Sequence, residues 1–438
     1  MTGTAQITSD AATPRGAAPR RPLRVALCGF GTVGTSVAQI LTERSDLAGR
    51  IQLTHVYNRA VARKRAPWVP GSVTWTESLE ETLDARPDVV VEVMGGVDDA
   101  YGLVRRALAQ GASVVTANKM LLAAHGPELL RLAAERGVQI RFEAAVGGGV
   151  PLIHGIREGL SGDTLIGVAG ILNGTCNYIL SRMAETDEGL QVVLADAQTL
   201  GYAEADPTAD VDGLDAAAKL VVLAGIAFRR YVRMADIPRR TIRTIASADF
   251  RYARRLGCTI RQVSQIHARD GGFYGFVGPV LVPSASSFGR NRGANNVVTI
   301  YGRYGGESAF SGAGAGGPAT AVAVVSDLLA LSRRTAADTE DWQPVALGPP
   351  PPRPYYLRFV VRDRPGILAA IAGALAAQRV NLDAVLQEPG YPKDTLPFVI
   401  TVEACEEAAL TEALARIASE DWHAEAPIAL PMLMNEDS

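Results

Sequence analysis

Leu23-Arg-Val-Ala-Leu-Cys28-Gly29-Phe30-Gly31-Thr32-Val33-Gly34 decides the fold of the first third of the chain. A short apolar strand runs straight into a GxGxxG loop, and a helical pattern starts at Thr32 and runs to about Arg44. In that context each glycine has a task. Gly29 permits the tight turn, Gly31 lets a pyrophosphate approach the backbone, and Gly34 lets the helix pack on the strand. The helix N-terminus then offers N–H groups to phosphate.

Working outward, strands and helices alternate. Ile51–Tyr57 reads as a strand, and Asp88–Val93 is a continuous apolar run, as a parallel strand buried on both faces requires. Asp98–Gln110 is helical, Ser113–Thr116 a strand, Leu121–Arg136 a helix and Gln139–Glu143 a strand. The expected fold is α/β, a Rossmann-type doubly wound parallel sheet. The second strand ends Tyr57-Asn58-Arg59, with Arg63, Lys64 and Arg65 beyond it and no acid where a ribose 2′-hydroxyl would be held. That favours NADP over NAD.

Beyond Glu143 the texture changes. Val146–Pro151 reads as a glycine-rich hinge, and Leu165–Ile171, Ile260–Ala268 and Val297–Tyr301 read as strands of an α+β domain. Its helices are expected near Thr175–Met183, Leu190–Leu200 and Leu214–Ala227. Pro318–Leu331 is a helix returning to the first domain. A proline run, Gly348–Pro354, predicts a stiff linker, and the rest reads β-α-β-β-α-β, a ferredoxin-like module. The expected divisions are a disordered arm at 1–22, a dinucleotide domain at 23–143 completed by helix 318–331, a substrate and dimerisation domain at 144–317, a linker at 332–354 and an accessory domain at 355–433.

Composition narrows the function. The 438 residues are 47% hydrophobic and 20% charged, with a formal net charge of −3. Such a chain has ample core, and its charge argues against nucleic acid or an anionic membrane surface as partner. No window approaches the ~18 unbroken apolar residues of a membrane span. Cys28, Cys176, Cys258 and Cys405 are far apart, which fits a reducing cytoplasm. Of 43 basic residues only Lys64, Lys119, Lys219 and Lys393 are lysine. A lysine kept among so many arginines suggests a compact or titratable charge.

The densest chemistry runs from Leu200 to Lys219, with Glu204, Asp206, Asp210, Asp212 and Asp215 preceding the lysine. Asp215 and Lys219 stand one turn apart on an otherwise apolar helix, as either a proton-donating pair or a buried structural ion pair. Lys119 ends the fifth strand, at the edge where open α/β sheets bind ligands. Two of four lysines at one predicted cleft favour catalysis. The five histidines are scattered and read as core or surface residues.

These blocks resemble the homoserine dehydrogenase family, in its form with a C-terminal ACT domain. The resemblance rests on Gly29–Gly34, Val114–Lys119, Glu143–Pro151, Gly170–Thr175, Gly201–Lys219 and the glycine loop Gly312–Gly316, and covers residues 23 to about 433. It implies reduction of L-aspartate 4-semialdehyde to L-homoserine, with Lys219 as proton donor, Asp215 positioning it and Lys119 between nicotinamide and substrate. It implies a substrate pocket of Glu204, Asp210, Gly174, Thr175, Tyr202 and Lys119. The cofactor set is Gly29, Phe30, Gly31, Thr32, Val33, Gly34, Asn58, Arg59, Lys64, Gly95, Lys119, Gly201, Glu204 and Gly316. A monovalent cation, usually sodium, is implied at Glu143, Val146, Gly148 and Val150, where the residues alone read as a plain hinge. Threonine is the implied effector of the ACT domain, and a homodimer or homotetramer the implied assembly. The rival readings are a reductase of another small amino-acid aldehyde or keto acid, and a non-catalytic ACT-bearing sensor.

Overall fold

The computed structural model describes residues 21–333 and 340–433. Most of the expected N-terminal arm and part of the linker (334–339) lie outside the described residues. Arg21, assigned to the arm, is docked: its guanidinium pairs with Asp88 at 2.6 Å.

Six strands form the first sheet: β1 (Leu23–Cys28), β2 (Ile51–Tyr57), β3 (Thr74–Thr76), β4 (Val89–Glu92), β5 (Ser113–Thr116) and β6 (Ile140–Arg141). Their order is β3-β2-β1-β4-β5-β6, every pair parallel. Val89, Val90 and Val91 are all buried, as a strand covered on both faces demands. The order reverses at β1, so the ends of β1, β4 and β5 face a natural binding crevice. Helix Gly317–Ser332 does return to this domain and packs on helix Thr32–Glu43. Their approach is close enough that a Cβ on Gly317 would lie 2.8 Å from the Thr32 side chain.

The second domain is built on an antiparallel sheet of β7 (Leu165–Ile171), β9 (Cys258–Arg269), β10 (Gly272–Pro283), β11 (Asn295–Gly302) and β12 (Gly306–Ala313). Its order is β10-β9-β7-β11-β12; β8 (Arg230–Tyr231) lies apart. Helix Leu214–Phe228 crosses one face and is buried from Ala216 to Ile226, with Val168, Ile266, Val277 and Val298 beneath it. Strands β10 and β12 are additions to the sequence reading, which had placed no strand at either. The expected glycine loop at Gly312–Gly316 is correspondingly shorter, because Gly312 and Ala313 belong to β12.

The linker is not a free spacer. Trp342 is 1% exposed, and its ring fills the space left by Gly126 and Gly225, where added Cβ atoms would lie 2.8 and 2.2 Å from it. Next to it, β13 (Gln343–Pro344) pairs with β8. Burying an indole outweighs the stiffness of the proline run, so the segment is strapped to the second domain.

The last domain has strands β14 (Arg353–Val361), β15 (Leu382–Gln387), β16 (Leu396–Cys405) and β17 (His423–Pro431), ordered β15-β16-β14-β17 and antiparallel. Helices Ile367–Ala377 and Glu407–Ala418 cover one face. Tyr356, Val399 and Leu430 on the other face pack against Ile179, Leu180 and Phe250 of the second domain. The Tyr356 hydroxyl donates to Asp249 (2.8 Å), which also holds Arg358 at 3.3 Å.

Candidate active site

The glycine loop divides its labour as expected of its geometry. A Cβ on Gly29 (φ +109°) would meet the Val93 carbonyl oxygen at 2.5 Å, and one on Gly34 would lie 2.0 Å from the Gly29 oxygen. Both positions are fixed by backbone contact. A Cβ on Gly31 would meet nothing within 4 Å, and Gly31 stands at the N-cap of helix Thr32–Glu43, where no side chain makes a capping hydrogen bond. The open, N–H-rich cradle this leaves fits a dinucleotide pyrophosphate. The Phe30 side chain turns away, its ring 4.8 Å from that of Trp75, so only its backbone can face a cofactor.

At the end of β2 the Asn58 carboxamide oxygen accepts from the Ala60 N–H at 3.0 Å, shaping the turn. Arg59, Arg63, Lys64 and Arg65 beyond it are exposed. None of them forms an ion pair among the described residues. Gly95, exposed with φ +78°, lies in the loop after β4. Beneath that loop Glu92 is fully buried, accepting from the Thr116 hydroxyl (2.6 Å) and the Met94 N–H (2.9 Å). Burial raises its pKa, against the pull of these hydrogen bonds. Glu92 was not singled out in the sequence; its place in an apolar strand was the available signal.

A cleft of about 640 Å³ opens between the first two domains, and Asp215 lines it. One carboxylate oxygen is 3.1 Å from Lys119 Nζ and the other 2.9 Å from Lys219 Nζ. Lys119 is the first residue of helix Lys119–Glu135, whose N-terminus is capped by the Asn118 side chain. Lys219, 9% exposed, also donates to the Leu172 carbonyl at 2.7 Å. Burial alone would raise the Asp215 pKa, but the two ammonium groups outweigh it and hold the carboxyl well below the usual range.

Asn173 completes the set. Its carboxamide nitrogen donates to Asp215 (2.9 Å) and to Asp210 (2.6 Å), while its oxygen caps helix Gly174–Thr186 by accepting from Cys176 N–H at 2.8 Å. Burial raises the Asp210 pKa, with the Asn173 hydrogen bond opposing. The cleft therefore holds one firmly ionised carboxylate and one that protonates more readily.

Lys119, Asp215, Lys219, Asp210, Gly174, Thr175, Gly201, Tyr202, Val33, Gly148 and Gly316 all line this cleft. The Thr175 hydroxyl donates to the Tyr202 carbonyl at 2.7 Å and ties the Gly201-Tyr202 turn to the helix. Glu204 is exposed, on the turn that follows Tyr202, and is not among the residues lining the cleft. Asn173 lies inside the matching block Gly170–Thr175, but the sequence alone assigns it no role of its own.

In the hinge, Glu143 is 2% exposed and accepts from the N–H groups of Ile153 (2.8 Å) and His154 (2.7 Å). Its carboxylate has no lysine or arginine partner among the described residues. Val146 and Val150 are buried, and a Cβ on Gly148 (φ +56°) would lie 2.7 Å from the Gly314 backbone. His154, read as a plain core or surface residue, is instead 3.1 Å from Asp327 and 3.7 Å from Glu143. No cluster of three or more His, Cys, Asp or Glu suited to a metal ion occurs among the described residues. The hinge offers one carboxylate and backbone carbonyls, an all-oxygen donor set of the kind a hard cation takes.

Parallel sheet, phosphate cradle and a charged cleft at the sheet's carboxyl edge define a nicotinamide-dinucleotide oxidoreductase with an appended ACT module. Family models bear this out: homoserine dehydrogenase matches residues 151–329, the homoserine dehydrogenase NAD-binding domain residues 29–143, and the ACT domain residues 355–421. The chain belongs to the homoserine dehydrogenase family. It is 38% identical to the homoserine dehydrogenase of Pseudomonas aeruginosa over 91% of this chain and 95% of that protein. Against the enzyme of Mycobacterium tuberculosis the identity is 40%, over 90% and 93%. Among solved structures, a homoserine dehydrogenase from Thiobacillus denitrificans superposes with a TM-score of 0.87 at 34% identity, covering 94% of this chain and 98% of that one. No helix among the described residues is long and apolar enough to cross a membrane.

Proposed function

We propose that the Lys119–Asp215–Lys219 constellation carries the interconversion of L-aspartate 4-semialdehyde and L-homoserine, with NADP favoured over NAD. The observation that carries this reading is Asp215 held between two lysine ammonium groups at 3.1 and 2.9 Å. The nicotinamide, when bound, supplies the hydride. As hydride reaches the aldehyde carbon, negative charge builds on its oxygen. Lys219, aimed by Asp215 and the Leu172 carbonyl, stabilises that charge and gives its proton to the oxygen. Lys119, at the mouth of the nucleotide domain, places a second positive charge between cofactor and substrate. Asp210 takes the substrate ammonium, with Gly174, Thr175 and Tyr202 shaping the pocket. Glu204, on the exposed turn beside the cleft, would join Asp210 in holding that ammonium.

Gly29, Gly31, Gly34 and the first turn at Thr32 and Val33 would hold the pyrophosphate, with Gly95 and Gly316 beside it. Asn58, Arg59 and Lys64 would meet a 2′-phosphate, which suits an exposed basic loop without ion pairs. Glu143 with the carbonyls of Val146, Gly148 and Val150 would hold a monovalent cation, sodium by expectation, and brace the hinge. Threonine is the proposed ligand of the ACT domain. The exposed edge strand β15, with Val385 50% exposed, suits pairing of that domain with a second copy, in a cytoplasmic homodimer or homotetramer. The test is product analysis: the protein with NADPH should convert L-aspartate 4-semialdehyde to L-homoserine. Loss of the aldehyde without homoserine would assign the cleft to another reaction.

A further inference from the structure

A second cleft, of about 450 Å³, opens where helix Gly174–Thr186, helix Ser247–Arg255, the start of β9 and residues 284–292 meet. Four arginines line it, Arg254, Arg261, Arg290 and Arg292, against one carboxylate, Glu185. Arg261 is 2% exposed, yet it donates only to neutral acceptors: the carbonyls of Ile260 (2.9 Å), Asn291 (3.2 Å) and Gly289 (3.2 Å), and the Thr259 hydroxyl (3.3 Å). No carboxylate lies within 4 Å of it among the described residues. Burial pushes its pKa down to about 10, with Arg292 adding to the effect. Glu185 lies 3.6 Å from Arg182 and reaches Arg292, on the cleft's own rim, at 4.0 Å, which leaves Arg254, Arg261 and Arg290 without a carboxylate partner among the described residues. Ser181, 3% exposed, lines the same cleft, and its hydroxyl has no hydrogen-bond partner among the described residues. Buried charges are ordinarily paired and buried hydroxyls ordinarily bonded; here the hydrogen-bonded Arg261 guanidinium lacks a counter-charge and the Ser181 hydroxyl lacks a partner, at one place.

We propose that this cleft is an anion site that takes a phosphate-bearing small molecule, with Arg261 and Ser181 at its base and Arg254, Arg290 and Arg292 around it. Guanidinium groups in number suit a multiply charged oxyanion with several acceptor oxygens, more than a single carboxylate. The site is also wired to the catalytic cleft. Asn177, one turn before Ser181 on the same helix, donates to the carbonyls of Gly293 (2.9 Å) and Asn295 (3.3 Å). Ala294 and Asn295 line the catalytic cleft, and Arg261 holds the carbonyls of Gly289 and Asn291 just before them. An anion drawing on Arg261 and Arg292 therefore bears on a catalytic wall, and turnover should respond to it.

The experiment is calorimetric titration of the full chain with inorganic phosphate at fixed ionic strength, with saturating NADP so that the glycine loop is filled. The expected result is saturable binding near one site per chain. It should weaken at least about tenfold in the Arg254→Ala/Arg292→Ala double variant, whose side chains are exposed, and severalfold in Ser181→Ala. Both variants should keep the wild-type melting temperature within a few degrees. A non-saturating response, binding equal in all three proteins, or acetate binding as tightly as phosphate would overturn the proposal.

Discussion

Asn173 and Asp215 share a 2.9 Å hydrogen bond at the carboxylate oxygen that also holds Lys219. The amide thus keeps that oxygen on the lysine while its other contacts fix Asp210 and the start of helix Gly174–Thr186. Asn173→Ala should remove an N-cap, destabilising the protein by about 1 kcal/mol, and should lower kcat by about ten- to a hundredfold. Thermal melting and steady-state kinetics on one preparation separate the two effects. Unchanged kcat with a lowered melting temperature would reduce Asn173 to a cap.

Asp210 carries a raised pKa in the folded state, first because of burial. A carboxyl raised above its unfolded value favours folding below that value and weighs against it once pH rises past the folded one. Asp210→Asn should therefore raise the melting temperature at pH 7, and the gain should vanish below about pH 4. Its KM for homoserine should rise at least about tenfold, because the ammonium loses its carboxylate. A variant less stable at pH 7 would contradict this.

Gly31 and Gly34 should behave oppositely on substitution. Gly34→Ala forces a Cβ to 2.0 Å from the Gly29 oxygen and should cost several kcal/mol or prevent folding. Gly31→Ala meets open space, so its stability should change by less than about 1 kcal/mol while dinucleotide affinity drops at least about tenfold. Fluorescence titration with NADPH, alongside melting curves, checks both.

The proposed preference for NADP is tested at Arg59 and Lys64. Arg59→Ala/Lys64→Ala should raise KM for NADP about tenfold or more and leave KM for NAD nearly unchanged. Equal effects on both would assign the basic loop to solvent.

How much could be read in advance varied with how local the signal was. The dinucleotide sheet was legible because strands buried on both faces make unbroken apolar runs such as Asp88–Val93. Strand β10 escaped notice because Gly275, Gly278 and Pro279 interrupt it; its pairing with β9 holds it in place. Strand β12 escaped because its side chains are largely exposed or half-exposed, leaving no apolar run. Trp342 made the linker a strap, which depends on glycines at 126 and 225, more than a hundred residues distant. In the cleft, Lys119, Asp215 and Lys219 stood out by rarity and spacing. Asn173 did not, since what it bridges is set by the tertiary fold, and Glu204 lies on the surface although its block drew attention to it.

Lys219 as the proton donor is open to one decisive comparison. Homoserine oxidation with NADP by Lys219→Ala should fall by about a thousandfold or more in kcat, with NADPH affinity within about twofold of wild type. Activity retained within about tenfold, with the fold intact, would contradict the account and make the Asp215–Lys219 pair a structural ion pair.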